Sequence, residues 1–183
     1  LWHQAAAKEG FGIVALQWWF GKGEAPFDYY RPNEVYRIFD QFCKTEKVPV
    51  KRNLLHGFSR GSANIYGVKT FDTHTRNDYF LLTIANSGKA SSDFPINKEI
   101  EMGKFGPMPF QGSHWVMFAG GKDPHPELTG IPGMRETESW VKKFGGTIDL
   151  FIVDPMAGHG GFHQNSRNIS AALDVFKNLL GMK

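Results

Sequence analysis

The chain has 183 residues, 41% of them hydrophobic and 21% charged, a balance that suits one domain with a sizeable core and excludes a disordered chain. Its net charge of +3 comes from scattered Lys and Arg, with no run longer than a pair such as Lys51-Arg52 or Lys142-Lys143, which excludes a nucleic-acid footprint. The longest apolar run, Phe11 to Phe20, is broken by Gln17 and is too short for a membrane span.

Trp2 to Lys8, with three consecutive alanines, predicts the end of a helix. Phe11 to Trp19 reads as a first buried strand. A loop follows through Gly21, Gly23 and Pro26. Pro32 suits the first turn of a helix in which Val35, Ile38, Phe39 and Phe42 recur at helical spacing. Cys43 lies in that pattern as a buried thiol. Being alone, it permits no internal disulfide and leaves the redox compartment open.

Val50 to His56 predicts a second strand ending in Gly57, with a helix from Ser59 towards Phe71. Tyr79 to Ala85 reads as a third strand. The stretch from Asn86 to Ser113 has no strong period and reads as a loop with a short lid. Trp115 to Ala119 is a fourth strand, closed by Gly120-Gly121. Pro132 and the Gly145-Gly146 pair bracket a helix marked by Met134, Thr137, Val141 and Phe144. Ile148 to Val153 is a fifth strand, and Ile169, Ala172, Leu173, Phe176 and Leu180 stripe a closing helix. Strands apolar on both faces that alternate with helices predict a mostly parallel sheet flanked by helices on both faces.

The sharpest local signal is Gly57-Phe58-Ser59-Arg60-Gly61, a G-x-S-x-G pattern. This composition supplies about 0.1 copies by chance, so the pattern needs its context. The context is present: a predicted strand precedes it and a predicted helix follows, the tight turn that exposes a serine Oγ at the top of a sheet. A serine hydroxyl needs a base, and the base needs an orienting group. His159, in Ala157-Gly158-His159-Gly160-Gly161 after the fifth strand, is the candidate base, its flanking glycines letting the imidazole project from a tight loop; His163 is its rival. Asp123, in Gly120-Gly121-Lys122-Asp123-Pro124 after the fourth strand, is the candidate acid, with Pro124 to fix its carboxylate. Asp154 is the alternative acid, with a turn or cap as its other role. Trp19, closing the first strand, is the candidate substrate contact.

The H-x-x-x-H spacing of His159 and His163 raises a metal reading, but Gly160 and Gly161 spoil the helix that such a pair needs. No glycine-rich phosphate loop of either standard pattern is present. No metal and no cofactor are expected.

Together, GFSRG after one strand, GGKDP after a later one and AGHGG before the last helix resemble the catalytic segments of the α/β-hydrolase superfamily. The similarity is to the polyhydroxybutyrate-depolymerase-like and feruloyl-esterase-like serine esterases, and it runs from Phe11 to Gly181. The order Ser59, Asp123, His159 is also that superfamily's order. The resemblance implies the α/β-hydrolase fold and a carboxylic ester hydrolase that works through an acyl-enzyme. Ser59 is then the nucleophile, His159 the general base, Asp123 its orienter, and the Arg60 backbone N–H an oxyanion donor.

The substrate expected is a small-molecule or polymer-linked ester, and the protein is expected to be soluble, with a secreted or periplasmic site favoured. A serine peptidase on the same fold and a truncated, inactive scaffold are the alternatives. One feature departs from the resemblance: an HGGG-type motif for a second oxyanion donor is absent. Residues 1–183 are thus expected to be the C-terminal portion of a single catalytic domain, from the helix before the family's fourth strand to its last helix. The first strands would then lie upstream of Leu1.

Overall fold

A computed structural model describes residues 1–23, 28–91 and 94–182. Pro26, named above in the first loop, lies outside the described residues. In chain order the elements are α1 (Trp2–Lys8), α2 (Pro32–Thr45), β1 (Asn53–Phe58), α3 (Arg60–His74), β2 (Phe80–Asn86), α4 (Pro95–Glu101), β3 (His114–Gly120), α5 (Ile131–Lys143), β4 (Thr147–Asp154), α6 (Gly161–Gln164) and α7 (Ser166–Leu179). The four strands form one sheet in the order β1-β2-β3-β4, and every neighbouring pair is parallel. All four C-terminal strand ends therefore lie along one rim.

Burial follows the layering. Side chains on one face of the sheet pack with α2, α3 and α5 around Tyr66, Val68, Trp115, Met117 and Met134. Those on the other face, including Leu82, Ile84, Val116 and Phe118, pack against Phe162 and the α7 stripe of Ile169, Ala172, Leu173 and Phe176. The helices on both faces thus match the predicted architecture, and the four strands coincide with the second to fifth predicted ones to within a few residues. β1 begins at Asn53 instead of Val50 because Lys51 takes φ 53°, which breaks an extended chain. Among the described residues no helix is long and apolar enough to cross a membrane.

The first predicted strand is not formed. Residues 11–18 have no regular structure, and Ile13 and Val14 are about half exposed. A strand needs a neighbour to pair its N–H and C=O groups. Among the described residues β1 is an edge strand that pairs only with β2, and Phe11–Trp19 does not pair along its open side. The run instead folds back on itself: Trp19 bridges Tyr29 in antiparallel fashion, Phe20 N–H reaches Asp28 O, and Tyr30 N–H reaches Trp18 O.

Two short helices also depart from the predicted elements. α4 lies within the stretch read as a loop, with Pro95 in its first turn and Asn97 and Ile100 buried. α6 spans four residues. Neither is long enough to show a helical period.

Candidate active site

The sharp turn between β1 and α3 carries Ser59. Its φ of 55° and ψ of −120° lie in a region costly for any residue with a side chain, and three contacts hold it there. Ser59 N–H donates to Asn86 O at the end of β2 (2.9 Å), and Ala63 N–H donates to Ser59 O (3.2 Å). The turn after β2 also packs against it, since a Cβ on Gly88 would overlap Ser59 O, and Gly88 O accepts from the Ser62 hydroxyl (2.7 Å) and the Tyr66 hydroxyl (2.8 Å). Gly57 is bare for a steric reason, since a Cβ there would overlap Gly61 O and lie 2.8 Å from Ile65 Cγ2. Gly61 is not so confined. A Cβ there would meet only Trp18 Cζ2, at 3.8 Å.

The loops after β3 and β4 interlock. Gly121 N–H donates to Asp154 O (2.8 Å) and Lys122 N–H to Ala157 O (2.9 Å). A Cβ on Gly120 would stand 2.5 Å from both Ala157 O and Gly158 O, so only glycine allows the approach. This packing brings Asp123 and His159 to the serine turn. His159 Nδ1 lies 2.8 Å from Asp123 Oδ2, and His159 Nε2 lies 2.9 Å from Ser59 Oγ.

The Asp123 side chain is fully buried. Its Oδ1 accepts from the Thr129 hydroxyl (2.6 Å) and the His125 N–H (2.9 Å). Burial pushes its pKa up, but those two donors and His159 outweigh burial and hold it below the usual carboxylate range. An ionised carboxylate only accepts, so Nδ1 carries the imidazole proton and Nε2 is left to accept from the Ser59 hydroxyl. Besides Pro124, expected to help fix this carboxylate, Thr129 and the His125 N–H hold it.

His163 and Asp154 stand outside this hydrogen-bonded chain. Asp154 accepts from Met156 N–H (3.1 Å) and Asn165 Nδ2 (3.4 Å), the turn role named as its alternative. His163 belongs to a layer beneath the site. The Ser87 hydroxyl donates to Asn86 Oδ1 (3.2 Å), which turns Asn86 Nδ2 towards His56 Nε2 (3.3 Å) and His163 Nε2 (3.4 Å). Burial, helped by the neighbouring His163, pushes His56 down to about 3, and burial also lowers His163. Both imidazoles are therefore neutral acceptors. The Phe58 ring stands between the two layers, 4.9 Å from the His159 ring and 4.8 Å from that of His163.

A cleft of about 400 Å³ opens beside Ser59. Trp19 lines it, as expected, and is 42% exposed. Trp18 lines it too, its ring 4.6 Å from that of Tyr29, since both tryptophans lie in a segment without regular strand alternation. Tyr29 and Phe58 complete the aromatic wall. Arg60 heads α3, where its backbone N–H has no intrahelical acceptor by position. Among the described residues no group of three or more His, Cys, Asp or Glu side chains gathers to hold an ion.

The chain has the α/β-hydrolase fold, with a parallel sheet flanked by helices and the Ser-containing turn at its rim. No protein-family model and no curated protein matches it. Among solved structures it is similar to Arabidopsis thaliana SOBER1, with a TM-score of 0.62 and 18% identity over 92% of this chain and 76% of that one. The alignment with a point variant of SOBER1 spans 63% of that structure's length, under two thirds. The RedJ thioesterase from the prodiginine biosynthetic pathway of Streptomyces coelicolor is similar over 96% of this chain and 78% of its own, with a TM-score of 0.59 and 14% identity.

Proposed function

We propose that this protein is a carboxylic ester hydrolase that works through an acyl-enzyme, with Ser59, His159 and Asp123 as its catalytic groups. The observation that carries the reading is the unbroken chain from Asp123 through His159 to Ser59 Oγ, with links of 2.8 and 2.9 Å. The RedJ thioesterase among the structural neighbours supports an acyl ester or thioester as the substrate.

Ser59 Oγ attacks the ester carbonyl carbon as its proton passes to His159 Nε2. Ionised Asp123 holds the resulting imidazolium in place. The carbonyl oxygen, now negative, faces the Arg60 N–H at the first turn of α3, where the helix dipole adds to the donor. Collapse of the adduct breaks the bond to the leaving alkoxide, which takes the proton from Nε2 and departs as the alcohol. Water then repeats both steps on the acyl-Ser59 ester and releases the acid. The aromatic cleft seats the substrate, with Trp19 at its mouth.

The test is turnover of p-nitrophenyl acetate beside the matching p-nitroanilide. Ester turnover with little anilide cleavage is the expected result. Comparable rates on the two would point to a peptidase, and no turnover of either would contradict the reading.

A further inference from the structure

We infer that the cleft beside Ser59 takes esters whose seated portion carries a carboxylate, and that the Arg60 guanidinium is the group that pairs with it. The inference rests on the ester-hydrolase reading and names its substrate class.

The lining is chemically lopsided. Besides its aromatic rings the cleft carries two cations, Lys22 and Arg60, and no acidic side chain among the described residues. The Arg60 guanidinium is held in place by a ring, 4.9 Å from the centroid of Tyr29. Tyr29 is itself fixed, its ring tilted against that of Trp18 and its hydroxyl donating to Gly23 O. A cation so placed is pre-organised, and binding an anion there costs it little rotamer freedom. A cation–π contact leaves the guanidinium N–H groups able to donate, and two of them can grip a carboxylate through parallel bonds.

Arg60 directly follows Ser59, so an anion on this edge lies within a small molecule's length of the nucleophile. The rings of Trp18 and Trp19 offer apolar faces to the body that joins carboxylate and ester. Gly61 also lines the cleft, and a Cβ on it would meet only Trp18 Cζ2.

The test compares kcat/KM for methyl 4-carboxybenzoate with that for methyl 4-carbamoylbenzoate, which has the same shape without the charge. The wild-type protein should favour the carboxylate by about tenfold at low salt, a preference that shrinks in roughly 1 M salt as the pairing is screened. Arg60→Gln should bring the ratio close to one, while Arg60→Lys, which keeps the charge and loses the fork, should retain part of it. Equal rates in the wild type, or a preference that survives Arg60→Gln, would overturn the inference and leave the hydrolase reading intact. A second measurement needs no turnover. Tryptophan fluorescence of Ser59→Ala should report tighter binding of terephthalate than of terephthalamide, and equal binding would overturn the inference even if no ester is cleaved.

Discussion

A Cβ atom on Gly88 would overlap the carbonyl oxygen of Ser59 and stand 2.8 Å from Ser62 Cβ. The turn after β2 is thus in direct contact with the turn that carries Ser59. Gly88→Ala must displace one of them. We expect a loss of about 1–3 kcal/mol in stability, as for other overpacked sites. Ester turnover should fall by about a hundredfold, because an ångström of misplacement at the reacting atom is that costly. Chemical denaturation and p-nitrophenyl acetate kinetics check both, and a fully active Gly88→Ala would contradict the coupling.

Thr129 should matter chiefly through Asp123, although its hydroxyl also lies 3.1 Å from His125 O. Its hydroxyl is one of two donors to a fully buried carboxylate oxygen, and a hydrogen bond to a charged group is worth about 1.5–3 kcal/mol. Thr129→Val should lose stability on that scale and about tenfold in kcat, and Thr129→Ser should recover most of both. Asp123→Asn, which leaves the imidazole in the wrong tautomer, should cost about 10⁴-fold in kcat. Equal activity of Thr129→Val and the wild type would show that the carboxylate does not need this donor.

The two glycines of the G-x-S-x-G turn should respond in opposite ways. Gly57→Ala collides with the Gly61 carbonyl and should destabilise the protein by at least about 1–3 kcal/mol. Gly61→Ala meets ordinary contact distance at Trp18 and lies within α3, where Ala is favoured by about 0.5–1 kcal/mol over Gly. It should fold as well as the wild type or better. Thermal unfolding of the two variants decides the point; equal losses would contradict it.

His56 should make the fold acid-sensitive. In the unfolded chain it takes up a proton near its ordinary value of 6.5, whereas burial in the fold delays this to about 3. Between those values the unfolded state binds the extra proton, so stability rises with pH across that window and levels off above it. This one group contributes a slope of up to about 1.4 kcal/mol per pH unit, and His163, shifted the same way, adds to it. His56→Phe should flatten the slope measured by denaturation from about pH 4 to 7. An unchanged slope would show that the acid sensitivity arises elsewhere.

Much of this was legible in the sequence because the signals are local. Buried parallel strands are continuous apolar runs, and the GFSRG, GGKDP and AGHGG segments each sit at the end of one. The same rule misread Phe11–Trp19, because an apolar run cannot reveal whether a neighbouring strand is present to pair with it. Tyr29, Asn86 and Thr129 escaped for a different reason. Their roles arise from contacts across the fold, against Arg60, His56 and Asp123 respectively, and no spacing announces them. The idea that flanking glycines free His159 to project does not match the local packing. Gly158 and Gly160 have ordinary φ and room for a Cβ, whereas Gly161, where a Cβ would overlap that of Ala157, is the glycine the packing requires.

The central claim, that Ser59 is a nucleophile activated by His159, is tested most directly by labelling the protein with a fluorophosphonate and mapping the adduct by peptide mass spectrometry. A single phosphonylated residue at Ser59, with labelling lost in His159→Ala and kept in His163→Ala, is the expected result. A label on another serine, or labelling of Ser59 at the same rate in His159→Ala as in the wild type, would contradict it.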